Sequence, residues 1–336
     1  MSASNEQSRA GRRGGRAALL AISAAIAPIG IGTAPASAGS PPTVLGQPAT
    51  IVGPNTSFVA PGHRRVILGT NHKDVIVGTK GKDWIIGNGG PDVIDGGPGN
   101  DYIFGGSNPS DRKHDDPSKL IGGSGRDYID GGYADDLIVG DRADLAHSVS
   151  GRVDGDKIDG EFGSDLIVGD DYSGLDAKGA AKDFIRAQHG GDTVIGDSAV
   201  TGEGTAQGGS NDHFEASSGR DLVVGDSYSP GGVARGGGND KISVGPGNDL
   251  VVGDDYTKTG VAQGHGNDEL HLLAGDDMGY GDNYASAGGE TTGGGYDELG
   301  GGSDDDWLFA GPGFDLCAGG PGVDHKRRCE GELEAR

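Results

Sequence analysis

Residues 69–104 read GTNHKDVIV, GTKGKDWII, GNGGPDVID and GGPGNDYIF, four units of nine residues without a gap. Each opens on a glycine, places an aspartate at its sixth position (Asp74, Asp83, Asp92, Asp101) and puts an isoleucine two places later (Ile76, Ile85, Ile94, Ile103). Glycine frees the backbone for a tight turn, and the branched residues that follow the aspartate favour a short extended strand. Nine residues therefore make one turn and one strand.

The frame recurs at GGSGRDYID (Asp127) and GGYADDLIV (Asp136), and near the C-terminus at GGSDDDWLF (Asp306), AGPGFDLCA (Asp315) and GGPGVDHKR (Asp324). Between these blocks runs a longer period: DLIVGDDY from Asp165, DTVIGDS from Asp192, DLVVGDSY from Asp221, DLVVGDDY from Asp249 and DMGYGDNY from Asp277, at intervals of 27, 29, 28 and 28 residues. Each later unit holds two nine-residue coils, with aspartates at Asp212 and Asp221, Asp240 and Asp249, Asp268 and Asp277, then Asp297 and Asp306, plus a looser segment of about ten residues such as GDDYTKTGVA. Internal repetition on this scale points to a solenoid.

The composition agrees. Of 336 residues 70 are Gly, and only 33% are hydrophobic, too few for an ordinary two-layer core in a chain of this length. A repeat that buries a few small aliphatics per turn needs no more. The net charge of −24 disfavours nucleic acid and anionic membranes as partners.

Arg12, Arg13 and Arg16 precede the apolar run AALLAISAAIAPIGIG, and APASA ends at Ala38, the order of a secretory signal spanning residues 1–38. Pro28 and Gly30 break the run, so the expectation is cleavage and a mature chain without a membrane span. Gly14 and Gly15 after Arg12 and Arg13 favour general secretion over a twin-arginine route. For a secreted, extracellular chain, Cys317 and Cys329 read as a disulfide in preference to a two-thiol metal site, which would want a second pair.

The units resemble the glycine-rich nonapeptide GGxGxDxUx of RTX proteins, the hemolysin-type calcium-binding repeats, over residues 66–327. The lead-in LGQPATIVG from Leu45 is similar to the start of actinobacterial members. The resemblance implies an all-β fold, a right-handed parallel β-roll with two coils per eighteen-residue turn, and several Ca2+ ions held between stacked turns. It implies a metal role for the sixth-position aspartates Asp74, Asp83, Asp92, Asp101, Asp127, Asp136, Asp165, Asp192, Asp212, Asp221, Asp240, Asp249, Asp268, Asp277, Asp297, Asp306, Asp315 and Asp324. Stacking at eighteen residues would pair Asp74 with Asp92, Asp83 with Asp101, Asp297 with Asp315 and Asp306 with Asp324. In the centre, spacings of 19 or 20 (Asp221 to Asp240, Asp249 to Asp268, Asp277 to Asp297) are expected to keep that stack with a small bulge.

Some segments stand outside the frame. Residues 39–65 read as a Pro-rich lead or N-terminal cap, 107–119 (SNPSDRKHDDPSK) as a surface loop, and 328–336 as a tail. The stretch DAKGAAKDFIRAQ, within an expected insertion at 173–188, reads as a short helix or exposed loop. DGDKIDGEFGSD from Asp154 resembles an EF-hand loop but has Asp159 where glycine is required.

No HExxH is present, and GGSGR at 122–126 ends in Arg126 where a nucleophile elbow needs glycine. The expectation is a calcium-binding structural, matrix or adhesive element that is not an enzyme, with a matrix, cell-surface or polysaccharide partner. The alternatives are a polysaccharide-modifying enzyme with a groove along the solenoid, or a fragmentary toxin-like protein. Trp84 and Trp307 are expected to pack in the core or at its edge.

Overall fold

The computed structural model describes residues 66–106 and 116–333, with short strand segments between residues 43 and 65. The expected signal segment, most of the lead and residues 107–115 of the expected loop lie outside the described residues. No described residue is helical, so no helix there is long and apolar enough to cross a membrane.

Two twelve-strand sheets run the length of the molecule. One takes the strands of half the coils, such as Asp83–Ile86, Tyr102–Phe104, Tyr128–Gly132 and Lys241–Ser243; we call it the front sheet. The other takes the alternate strands, such as Val75–Val77, Val93–Asp95, Leu222–Val224 and Leu250–Val252; we call it the back sheet. All pairings within the coils are parallel, and the antiparallel ones are confined to segments before residue 69. The chain is a parallel β-solenoid.

The residue two places after the column aspartates points between these sheets, except at the C-terminal end, where Lys326 after Asp324 is exposed. Ile76, Ile85, Ile94 and Ile103 begin the row, and Val223, Ile242, Val251 and Leu270 continue it, all fully buried. One small aliphatic per coil suffices because the same residue recurs directly above and below it. Cys317 ends the row and is bonded to Cys329, so the disulfide closes the last coil.

The terminal turns have the two-strand cross-section that the eighteen-residue period requires. The central turns do not. After each back-sheet strand the chain leaves on an excursion that adds two more strands, for example Tyr256–Thr257 and Val261–Ala262, before returning to the front sheet. Six excursions stack into two further six-strand sheets. The first packs on the outer side of the back sheet, where Tyr172, Tyr228 and Tyr256 meet Val139, Val168, Ile195 and Val224 in a second core. The tyrosine of GDDY is thus a core residue.

This corrects the expected central stacking. Leu222 pairs with Leu250, and Lys241 with Glu269, so one full turn is 28 residues and not 18 with a bulge. Asp221 does not stack on Asp240. Residues 173–188 form no helix: Ala177–Lys178 is a strand of an excursion and Phe184–His189 a strand of the front sheet.

The two tryptophans also lie elsewhere than expected. Trp84 is half-buried on the outer face of the front sheet, stacked on Tyr102 at 5.0 Å, and Trp307 is exposed beside His325 at 4.0 Å. An outward ring at one strand position meets its counterpart a coil away, which makes aromatic rows on a flat parallel sheet.

Candidate metal centre

Every turn places its sixth-position aspartate where the chain enters a strand, so the parallel register stacks these side chains into two columns. The front column is Asp83, Asp101, Asp127, Asp156, Asp183, Asp212, Asp240, Asp268, Asp297 and Asp315. Each member's backbone N–H donates to Oδ1 of the next, from Asp83 to Asp101 (2.7 Å) through Asp212 to Asp240 (2.7 Å) and Asp297 to Asp315 (3.0 Å). The back column is Asp74, Asp92, Ser118, Asp136, Asp165, Asp192, Asp221, Asp249, Asp277, Asp306 and Asp324. It is linked in the same way, as from Asp221 to Asp249 and from Asp249 to Asp277 (both 2.8 Å).

The structure therefore brings all eighteen aspartates singled out from the sequence into these columns. Seventeen are buried, and Asp324 at the end is half-buried. The pairs Asp74–Asp92, Asp83–Asp101, Asp297–Asp315 and Asp306–Asp324 are hydrogen-bonded neighbours. Three members were missed. Asp156 accepts from Asp127 and donates to Asp183, which donates in turn to Asp212. Their coils lack the paired glycines, but D-x-I in DKI and DFI, at steps of 29, 27 and 29 residues from Asp127 to Asp212, was a readable signal. Ser118 replaces aspartate in the back column, its Oγ accepting from Asp92 at 3.2 Å.

One oxygen of each carboxylate is thus used within the column. The other is the informative one. Oδ2 of Asp101, Asp127, Asp165, Asp192, Asp212, Asp221, Asp240, Asp249, Asp268, Asp277, Asp297, Asp306 and Asp315 is buried with no hydrogen-bond partner. A buried carboxylate oxygen without a donor is costly, and a repeated one calls for a cation or a proton.

Electrostatics say the same. Burial pushes the Asp165 carboxyl up to about 8, against the lowering effect of the Asp136 N–H, and the Asp192 charge raises it further. Burial likewise pushes Asp277 up to about 8 and Asp249 to about 7. Stacked carboxyls in this setting resist ionisation unless a positive charge joins them.

The first coils differ. In GTNHKDVIV and GTKGKDWII the threonine hydroxyls of Thr70 and Thr79 donate to Oδ2 of Asp74 (2.9 Å) and Asp83 (2.7 Å). At the other end Glu330 Oε2 accepts from the Asp315 N–H at 2.9 Å. Threonine and glutamate thus terminate the columns, which makes the expected tail an end cap.

The oxygen set fits calcium. A side-chain carbon on Gly160 would lie 2.7 Å from Asp165 Oδ2 and 2.8 Å from the carbonyl oxygen of Ala187 in the next coil, so a carboxylate and a carbonyl converge where glycine leaves room. Among the described residues no three His, Cys, Asp or Glu side chains gather on one point, so a bound cation must draw most of its ligands from backbone carbonyls. Ca2+, which takes six to eight oxygens in irregular geometry, accepts such a set. The residues that would hold it are the column aspartates through Oδ2 and the carbonyls of the glycine turns on either side, and the ion would supply the charge the columns lack.

A family model for the RTX calcium-binding nonapeptide repeat matches in four copies, at residues 77–108, 119–144, 236–255 and 291–325. No curated protein and no solved structure matches the chain. The matched stretches contribute members to both aspartate columns and strands to both long sheets, so sequence pattern and geometry meet in one conclusion: this chain carries RTX calcium-binding nonapeptide repeats, folded as a β-roll-type solenoid.

Proposed function

We propose that the protein is exported and works outside the cell as a calcium-dependent structural or adhesive element with no reaction of its own. The observation that carries this reading is the pair of buried carboxylate columns with partnerless oxygens. Such a chain folds only where calcium is abundant, so calcium acts as its assembly signal. The N-terminal order of arginines, apolar run and A-x-A site supports export, as does the Cys317–Cys329 bond.

A polysaccharide or cell-surface partner is favoured by the aromatic row on the outer front sheet. Trp84, Tyr102 and Tyr128 follow one another at 5.0 and 5.9 Å, in step with the coils, and offer ring edges and hydroxyls along a line. Incubating the mature chain with polysaccharides and whole cells, with calcium or chelator, tests the proposal. Calcium-dependent retention with no change in the polysaccharide is expected; cleavage or modification of the chain it contacts would replace this reading with an enzymatic one.

A further inference from the structure

The GD step that opens each excursion builds a third aspartate column: Asp141, Asp170, Asp197, Asp226, Asp254 and Asp282. All six are buried, five of them completely inaccessible. None is a sixth-position residue of a nonapeptide. One oxygen of each closes the neck of its excursion by accepting a backbone N–H from the returning chain, as from Ser210 to Asp197 (3.0 Å), Gly266 to Asp254 (2.6 Å) and Gly295 to Asp282 (2.9 Å). A clasp needs only that oxygen.

The second oxygen is left over. In Asp141, Asp170, Asp197, Asp254 and Asp282 it is buried without a donor group, and from Asp141 to Asp254 the column's carboxyls lie against one another. Each of the six also faces a front-column aspartate 13 to 15 residues further along the chain, which carries a partnerless oxygen of its own. The two carboxylates border one glycine: a side-chain carbon on Gly266 would lie 2.6 Å from Asp254 Oδ1, the clasping oxygen, and 2.6 Å from Asp268 Oδ2, and the Asp254 charge disfavours ionisation of Asp268. Buried carboxylates this close cannot all be ionised without a cation among them.

We propose that the GD aspartates with a spare oxygen, Asp141, Asp170, Asp197, Asp254 and Asp282, each with its facing front-column aspartate and nearby backbone carbonyls, hold an additional row of calcium ions confined to the central turns. The inference rests on the calcium reading of the nonapeptides and adds sites to it. The donors are oxygen only and set by irregular backbone, which suits Ca2+ better than the octahedral demand of Mg2+. The excursions would then be locked to the roll by metal as well as by their tyrosine core.

Counting calcium per full-length chain by native mass spectrometry tests this, with far-UV circular dichroism as the control for folding. The triple variant Asp170→Asn, Asp197→Asn, Asp254→Asn keeps an oxygen to accept each clasping N–H but removes three charges. It is expected to reach the calcium-loaded spectrum while binding fewer ions than the natural chain. An unchanged ion count overturns the proposal and leaves these aspartates as protonated clasps. A natural chain that binds no calcium would instead defeat the nonapeptide reading. If the triple variant does not fold, Asp170→Asn alone is counted; its amide oxygen can still accept from Ala181, so an ion count equal to that of the natural chain overturns the proposal and a lower count supports it.

Discussion

At the scale of the residue, the sixth-position aspartate does two jobs that conflict in the absence of metal. Its Oδ1 receives the N–H of the coil before, a charge-assisted bond that favours the anion, while burial of Oδ2 disfavours it. The balance falls against ionisation, for burial pushes Asp221 up to about 6, Asp249 to about 7 and Asp277 to about 8. A carboxyl whose folded value lies above its unfolded value of about 3.9 stabilises the fold below that pH, and the contribution is lost as pH rises through the folded value. The calcium-free chain, largely unfolded at neutral pH, should therefore gain structure and thermal stability as pH falls from 8 toward 4. The calcium-loaded chain should behave oppositely, since protons compete for the same oxygens. Thermal melts in chelator across that range check the sign, and greater calcium-free stability at the alkaline end contradicts it. These aspartates were legible because the glycines around them mark the turn. Asp156 and Asp183 were not, because their coils make the same turn with VDGD and GAAKD, in which spacing survives and composition does not.

At the scale of the element, the nine-residue coil was readable from its pattern, and the excursion was not. A period of 28 fits either three coils, one and a half turns of a narrow roll, or one turn of a wider one, and only the register distinguishes them. The distinguishing residue is the tyrosine of GDDY. Tyr256 is fully buried, its ring 5.3 Å from both Tyr228 and Tyr284, and its hydroxyl donates to Ser286 at 3.0 Å. A narrow roll would leave that ring in solvent; a sheet folded onto the back of the roll gives it a core. Tyr256→Ala is expected to cost about 3–5 kcal/mol, the range for a large aromatic removed from a packed site. The loss should be local. Hydrogen exchange ought to quicken in the excursion strands around Tyr256–Thr257 and Val261–Ala262 while the front strand Lys241–Ser243 keeps its protection. Equal loss in both regions would show that the excursion is not a separate layer.

At the scale of the whole molecule, the chain is one quasi-linear stack in which each coil is supported by its neighbours and no coil has a core of its own. The main row supplies one small aliphatic per coil, set against the ordering of a backbone rich in glycine and a net charge of −24. Caps at both ends, Thr70 and Thr79 at the start and Glu330 with the disulfide at the finish, protect the columns without supplying the missing charge. Calcium is therefore expected to contribute a large share of the folding free energy. The far-UV circular dichroism of the mature chain at neutral pH, recorded in chelator and again on adding calcium, measures this most directly. A largely disordered spectrum that converts to β-structure with calcium is the predicted result; a β-rich spectrum that chelator leaves unchanged would contradict it.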